Sequence, residues 1–359
     1  MKEIPATVRR SLELLGLFLI GTIIVMGKIV VMPLLMAFFI SLLLLPIFRF
    51  FRKWKVPVAI AIFLPILCLT IGVALIGWLF SSQLGVLLTD FPQIARNVTK
   101  HLDSLSIWIA HVFGFSPTEQ LKFINEQSNK LFGLAGGLLS GAAGSATDMV
   151  LFFGLLPAYI YLIILYKSLF VKFILLWFEP DIHVNVEDAM RQIESMVKSY
   201  LVGLLIQIAY ITILLGGALA LFGIQHSLLI GLIFAFLNLI PYLGALIGNI
   251  LGVLITLVSS DRIADILIVL ATIAVVQFLD NNILMPRIVG GKVRLNAFIS
   301  LVGIIIGGAM TGISGMFLAL PVIAVLKIIF DRSEKFKKWG VLFGDDTPAK
   351  KPGLIKLKK

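Results

Sequence analysis

The chain has 359 residues, of which 59% are hydrophobic and only 14% charged. Charged residues normally make up about a quarter of a globular domain, so a soluble fold of this size would lack the polar surface it needs. The formal net charge of +11 would point to nucleic acid in a soluble protein; here the cations flank apolar runs, and nucleic acid is the poor reading.

In chain order, apolar segments fall at about 11–27, 29–48, 56–80, 149–166, 199–222, 226–259, 263–285 and 296–327. Crossing the hydrocarbon core takes about 20 apolar residues per helix. The sequence therefore predicts an all-α membrane protein with about eight transmembrane helices, some of them discontinuous or re-entrant. Lys2, Arg9 and Arg10 precede the first segment, Arg49, Arg52, Lys53 and Lys55 crowd one loop, and the C-terminal tail is rich in lysine. Lysine and arginine concentrate on the cytoplasmic side, which puts both termini and the 49–55 loop inside.

This orientation divides the chain into N-terminal membrane segments (1–84), an extracytoplasmic amphipathic helical insertion (85–145) and a membrane helix (146–170). A cytoplasmic amphipathic segment (171–198), a C-terminal membrane core (199–330) and a basic cytoplasmic tail (331–359) follow. In the insertion, Ile94, Val98, Leu102, Leu105, Ile109 and Val112 recur at helical spacing. The tail after about Lys335 is expected to be dispensable. One conflict stands. Eight passes put the 287–296 loop outside, although it carries Arg287, Lys292 and Arg294. If 226–259 were a re-entrant hairpin, that loop would move inside, and the last segment would have to break to keep the tail there.

Candidate chemistry gathers after Ser199. FLNLIPYLGALIGNI (236–250) sets Asn238, Pro241, Tyr242, Gly244 and Asn249 inside an uncharged run from Ser199 to Ser260. Irregular backbone at membrane depth is tolerated only against protein or a wet cavity. Pro241 removes a donor, and the freed groups with the nearby polar side chains form a candidate solute site. A proline kink with glycines for helix packing is the alternative. The next segment has only 14 uncharged residues between Asp265 and Asp280, too few to span alone. One of these aspartates must lie near or within the membrane, where a charge costs about 2.5–3.5 kcal/mol at the centre. Gln277, Asp280 and Asn281 ahead of Pro286 make a second candidate, with Asp280 as the ligand or coupling carboxylate and Asn238 and Gln277 as its hydrogen-bonding partners. The alternative is a helix end meeting water at the headgroups. Gly303, Gly307, Gly308, Gly312 and Gly315 have the spacing of close helix contacts. An echo of PLLMAFFISLLLLP (33–46) in LLIGLIFAFLNLIP (228–241) suggests a two-fold internal repeat of the kind transporters use.

Cys68 is the lone cysteine and the four histidines are dispersed. Neither a metal cluster nor a catalytic motif can be assembled from them, so no enzyme activity, cofactor or metal is expected.

Together, LNLIPYLGALIG, QFLDNNILMPRIVGGKV and VGIIIGGAMTGISGMFLALPVIAVLK resemble the autoinducer-2 exporter family of bacterial membrane proteins. SYLVG and the early PLLMAFFISLLLLP extend the resemblance over most of the chain. It implies about eight membrane helices, a bacterial inner-membrane location, a homo-oligomer and export of a small polar molecule such as a quorum-sensing furanone; some members are described as sodium/proton antiporters. On matching positions, Pro241, Tyr242 and Gly244 would form the first motif's turn, and Gln277, Asp280 and Pro286 the second. Two departures are Ala245, where the family commonly has proline, and the polar Asn249. Three functions therefore compete: a secondary exporter, a cation antiporter and a non-transporting membrane scaffold.

Overall fold

The computed structural model describes residues 6–89, 146–241, 243–260, 262–284 and 295–344. The insertion's expected helices (90–145), Tyr242, Pro286, most of the 287–296 loop and the end of the tail lie outside those residues. The described chain is helical nearly throughout, as the composition requires. Among the described residues, five helices are long and apolar enough to cross a membrane, or six if one bent pair counts as a single span. The expected count of about eight is not reproduced, because several apolar segments are broken or short.

Two compact units divide the chain. The first comprises Met1–Pro65, Leu155–Val202 and Val289–Lys359. Here α1 (Ala6–Met26) and α2 (Lys28–Lys53) meet at the single residue Gly27. Backbone hydrogen bonds continue across this junction, Gly27 donating to Ile23 and Val31 donating to Gly27, so one residue rather than a loop joins the two helices. The two segments expected as successive passes are joined by a one-residue turn at Gly27. Pro33 and Pro46 both lie inside α2, which runs on to Lys53. The next helix, α3 (Val58–Thr89), begins in this unit and ends in the other. α4 (Ala146–Leu165) and α5 (Lys167–Leu175) are a broken pair bent by 63° at Tyr166. α6 (His183–Ile211) then carries the amphipathic 183–198 stretch straight into apolar sequence.

The second unit comprises Ile66–Gly154 and Gly203–Ile288. The end of α6 widens into a π-turn, Thr212–Gly216, before α7 (Gly217–Leu221). α8 (Ser227–Leu237) and α9 (Leu243–Ser259) are two short helices that fold back on each other, and α10 (Ile263–Leu279) ends in a second π-turn, Asp280–Leu284. Ile211, Leu215, Ile230, Phe234, Val269 and Ile273 form the centre of this unit's core. The echo between 33–46 and 228–241 has no conformational counterpart: α2 passes through Pro46, whereas α8 has ended before Pro241.

Back in the first unit, the last apolar segment is also broken. α11 (Ala297–Thr311) and α12 (Ile313–Arg332) meet at Gly312, whose φ of +72° suits glycine. Gly307 and Gly315 pack so closely that a Cβ on either would strike the other's backbone. The glycine spacing thus serves close helix packing. Part of the expected tail is structured as well. α13 (Lys337–Phe343) packs on α12, Gly340 lies against Asp331, and the Phe343 carbonyl accepts from the Asn296 backbone at 3.0 Å.

Candidate functional site

The hairpin of α8 and α9 shows what the proline does. Backbone bonds tighten as α8 ends, with Leu239 donating to Phe236 and Ile240 to Leu237. Pro241 has no N–H to continue the ladder, and the bond from Gly244 to the Ile240 carbonyl at 2.9 Å opens the next helix. The two arms then cross closely. A Cβ at Gly244 would overlap the Leu237 carbonyl and the Asn238 backbone, and one at Gly248 would meet the Phe234 ring. These glycines let one arm of the hairpin lie on the other.

This crossing holds Asn238 at the break, where it is only 7% exposed. Its Nδ2 donates to Asp280 Oδ2 at 3.0 Å. Asp280 is 1% exposed, so it is not a helix end bathed in water. Two further groups come from the last turns of α6. Gln207 Nε2 donates to the same Oδ2 at 2.9 Å, and the Tyr210 hydroxyl donates to Oδ1. The carboxylate is thus ringed by an amide from α6, an amide from the hairpin and a phenol. All three donors are neutral. Burying an ionised carboxylate on such terms is costly.

π-turns adjoin the cluster on two sides. Asp280 opens one, and the other begins two residues after Tyr210. Such turns are rare and frequent at functional sites. The Thr212–Gly216 turn also packs backbone to backbone on α8: a Cβ at Gly231 would come within 2.8 Å of the Gly216 nitrogen and 3.1 Å of the Thr212 carbonyl. Two buried oxygens in this region, Gln207 Oε1 and Thr212 Oγ1, have no hydrogen-bond partner among the described residues.

The structure separates the other candidates from this cluster. Gln277 does not reach Asp280; its Nε2 donates to Asn281 Oδ1 at 3.1 Å, and Asn281 is exposed. Asn249 donates back to the Ala245 carbonyl at 2.7 Å, as a polar residue does when it satisfies itself within its own helix. Pro241 and Gly244 shape the hairpin and present no side-chain donor or acceptor. Asp265 is buried at the start of α10, accepting from Ser260 Oγ at 2.5 Å with Arg262 3.6 Å away. Of the two aspartates bracketing the short apolar run, Asp280 is therefore the one without a described cationic neighbour. Gln207 and Tyr210 were absent from the sequence reading. Their signal was an amide and a phenol three residues apart in LLIQIAYITILL, whose remaining residues are apolar except Thr212. No group of three or more histidine, cysteine or acidic residues suited to a metal occurs among the described residues.

A family model for AI-2E family transporters matches residues 14–335. The chain belongs to the AI-2E transporter family. Its relatives include YrrI of Bacillus subtilis, 27% identical over 309 residues that cover 84% of this chain and 86% of that protein, and named only as a transport protein. TqsA of Escherichia coli, named an AI-2 transport protein, is 25% identical over 317 residues, 88% of this chain and 90% of its own. YhhT of Escherichia coli, again named only as a transport protein, is 24% identical over 326 residues. This AI-2E family member is accordingly a multi-pass membrane transporter.

Proposed function

We propose that this protein is a secondary exporter of a small polar molecule, an autoinducer-2-like signal being the first candidate, and that Asp280 is the residue through which solute or coupling ion is engaged. The observation that carries the reading is the buried Asp280 carboxylate held by Gln207, Tyr210 and Asn238. Its donors are directional and uncharged, so a hydroxyl-bearing solute can replace or join them without meeting a fixed cation. The substrate class rests on the name of TqsA. Ala245 and Asn249, on the first turns after the hairpin break, depart from the family's usual pattern and are where substrate choice would change.

A cation/proton antiporter is the second reading, and the same buried carboxylate favours it, since ionisable groups inside the membrane mark ion pathways. The two readings separate in proteoliposomes. Flux of furanones and other polyols at fixed pH supports export. Cation flux that appears only with a pH gradient, and no organic flux, supports antiport. Absence of any flux across a panel of furanones, sugars and cations would overturn both.

We further propose a bacterial inner-membrane location with both termini cytoplasmic, an extracytoplasmic 85–145 insertion and a homo-oligomeric assembly. Supporting the orientation are the breaks at 238–242 and at Gly312. If both broken segments are re-entrant, the 287–296 loop with its three cations and the C-terminal tail fall on the cytoplasmic side together, as the positive-inside rule asks.

A further inference from the structure

We infer that the first unit holds an anionic phospholipid of the surrounding bilayer in a cavity bounded by α2, the bent pair α4–α5 and the start of α6. The cavity has a volume of about 870 Å³. Its body is apolar, lined by Leu34, Phe38, Leu42 and Ile163 among others, and its charged groups are Arg49, Lys167, Glu187, Arg191 and Glu194. Among the described residues, nothing fills the apolar part. α5 has no buried residue at all, and its Phe170, Val171 and Ile174 line the cavity while remaining exposed.

The charge pattern selects the headgroup. Glu194 pairs with Arg49 through two contacts of 2.8 and 3.0 Å, and Glu187 lies 3.6 Å from Arg191. Each acid is thus matched by one arginine, and Lys167 is the cation left over. Its ammonium sits over the Phe48 ring, 4.4 Å from the centroid, which fixes it beside Arg49. An anion placed there meets one uncompensated positive charge and the outer guanidinium edge of Arg49.

Length selects a lipid over a smaller solute. Leu34 and Arg49 are 15 positions apart on one helix, which at 1.5 Å per residue is about 22 Å. One leaflet of a bilayer, half of about 40–45 Å with headgroups included, has the same length. An acyl chain lying along Leu34, Phe38 and Leu42 thus places its phosphate at Arg49 and Lys167. Arg52, Lys53 and Lys55 follow in the chain, on the side where anionic lipids gather near basic segments.

The test incubates the purified full chain with phosphatidylglycerol and phosphatidylcholine of identical acyl chains, exchanges the detergent, and counts retained lipids by native mass spectrometry. The wild type is expected to retain phosphatidylglycerol over phosphatidylcholine. Lys167→Gln should reduce that preference roughly fivefold, the worth of one surface cation near anionic lipid. Leu42→Trp, which fills the cavity, should lose both lipids. Lys338→Gln, an exposed cation on α13 that does not line the cavity, should behave as wild type. Equal retention of the two lipids by the wild type overturns the inference, as does an unchanged preference in Lys167→Gln. A disulfide-linked dimer of Leu42→Cys in a Cys68→Ser background would also overturn it, by making a second copy the occupant.

Discussion

Replacing Asp280 by asparagine separates the charge at this position from its shape. Gln207 and Asn238 both donate to Oδ2, so an asparagine that keeps its carbonyl oxygen there still accepts both bonds. Its amide then faces Tyr210, whose hydroxyl can turn from donor to acceptor. The number of hydrogen bonds is unchanged. Each weakens from a bond to a charged group, about 1.5–3 kcal/mol, to a neutral one of about 0.5–1.5 kcal/mol. Removing a buried charge offsets this loss, because an ion taken out of water carries a penalty of several kcal/mol. The expected net change in stability is within about 1 kcal/mol, with either sign. Asp280→Leu is the contrasting case. It strands two buried amide donors at about 1–3 kcal/mol each and the half-buried Tyr210 hydroxyl, less whatever partners they regain inside a membrane protein, and should destabilise by several kcal/mol. Thermal unfolding in detergent measures the first quantity and solute flux in proteoliposomes the second. Asp280→Asn should melt near the wild-type temperature and lose most coupled flux. Normal flux and pH dependence in that variant would refute the role given to Asp280, and a collapse as deep as that of Asp280→Leu would refute the hydrogen-bond accounting.

Three other outcomes are expected. Gly244→Ala should fail to assemble or lose at least about 3 kcal/mol, the top of the usual overpacking range, because its Cβ meets backbone rather than a flexible side chain; Gly217→Ala, with open space around it, should be silent in the same expression and melting assays. Truncation after Gly344 should leave a folded protein, whereas truncation after Lys335 removes α13 and its contacts with α12 and should lower the melting temperature. A cysteine replacing Gly290, in a Cys68→Ser background, should resist impermeant thiol reagents in intact cells; ready labelling from outside would refute the two-hairpin orientation.

Asp280 and Asn238 were legible in the sequence because each breaks a local rule, a charge where the apolar run is too short and an amide beside a proline in hydrocarbon. Gln207 and Tyr210 break none. A single amide or phenol in a long apolar helix is common, and its importance comes from a partner more than 70 positions away in one case and 70 in the other. Gln277 misled for the opposite reason, since nearness in sequence to Asp280 suggested contact while its amide is taken up by Asn281. The break at Gly312 was hidden in a glycine series that reads equally well as continuous close packing, and Gly307 and Gly315 show that packing and break occur together. The junctions at Gly27 and Tyr166 fall where the 11–27 and 149–166 apolar segments end. That a single residue joins the helices there was not legible, because nothing in the sequence measures the length of a connection between two helices.

The neutrality of Asp280's described neighbours has an electrical consequence. Empty and ionised, the cluster carries one negative charge; holding a proton or a monovalent cation, it carries none. A transport cycle that carries this group across the membrane would therefore feel the voltage on only one of its two legs, the one made without the ion. Full passage of one elementary charge is worth about 2.3 kcal/mol per 100 mV, close to a fiftyfold change in an equilibrium constant. The direction in which the unloaded carrier prefers to rest would then be set by the energised state of the cell, with no further charged residue required.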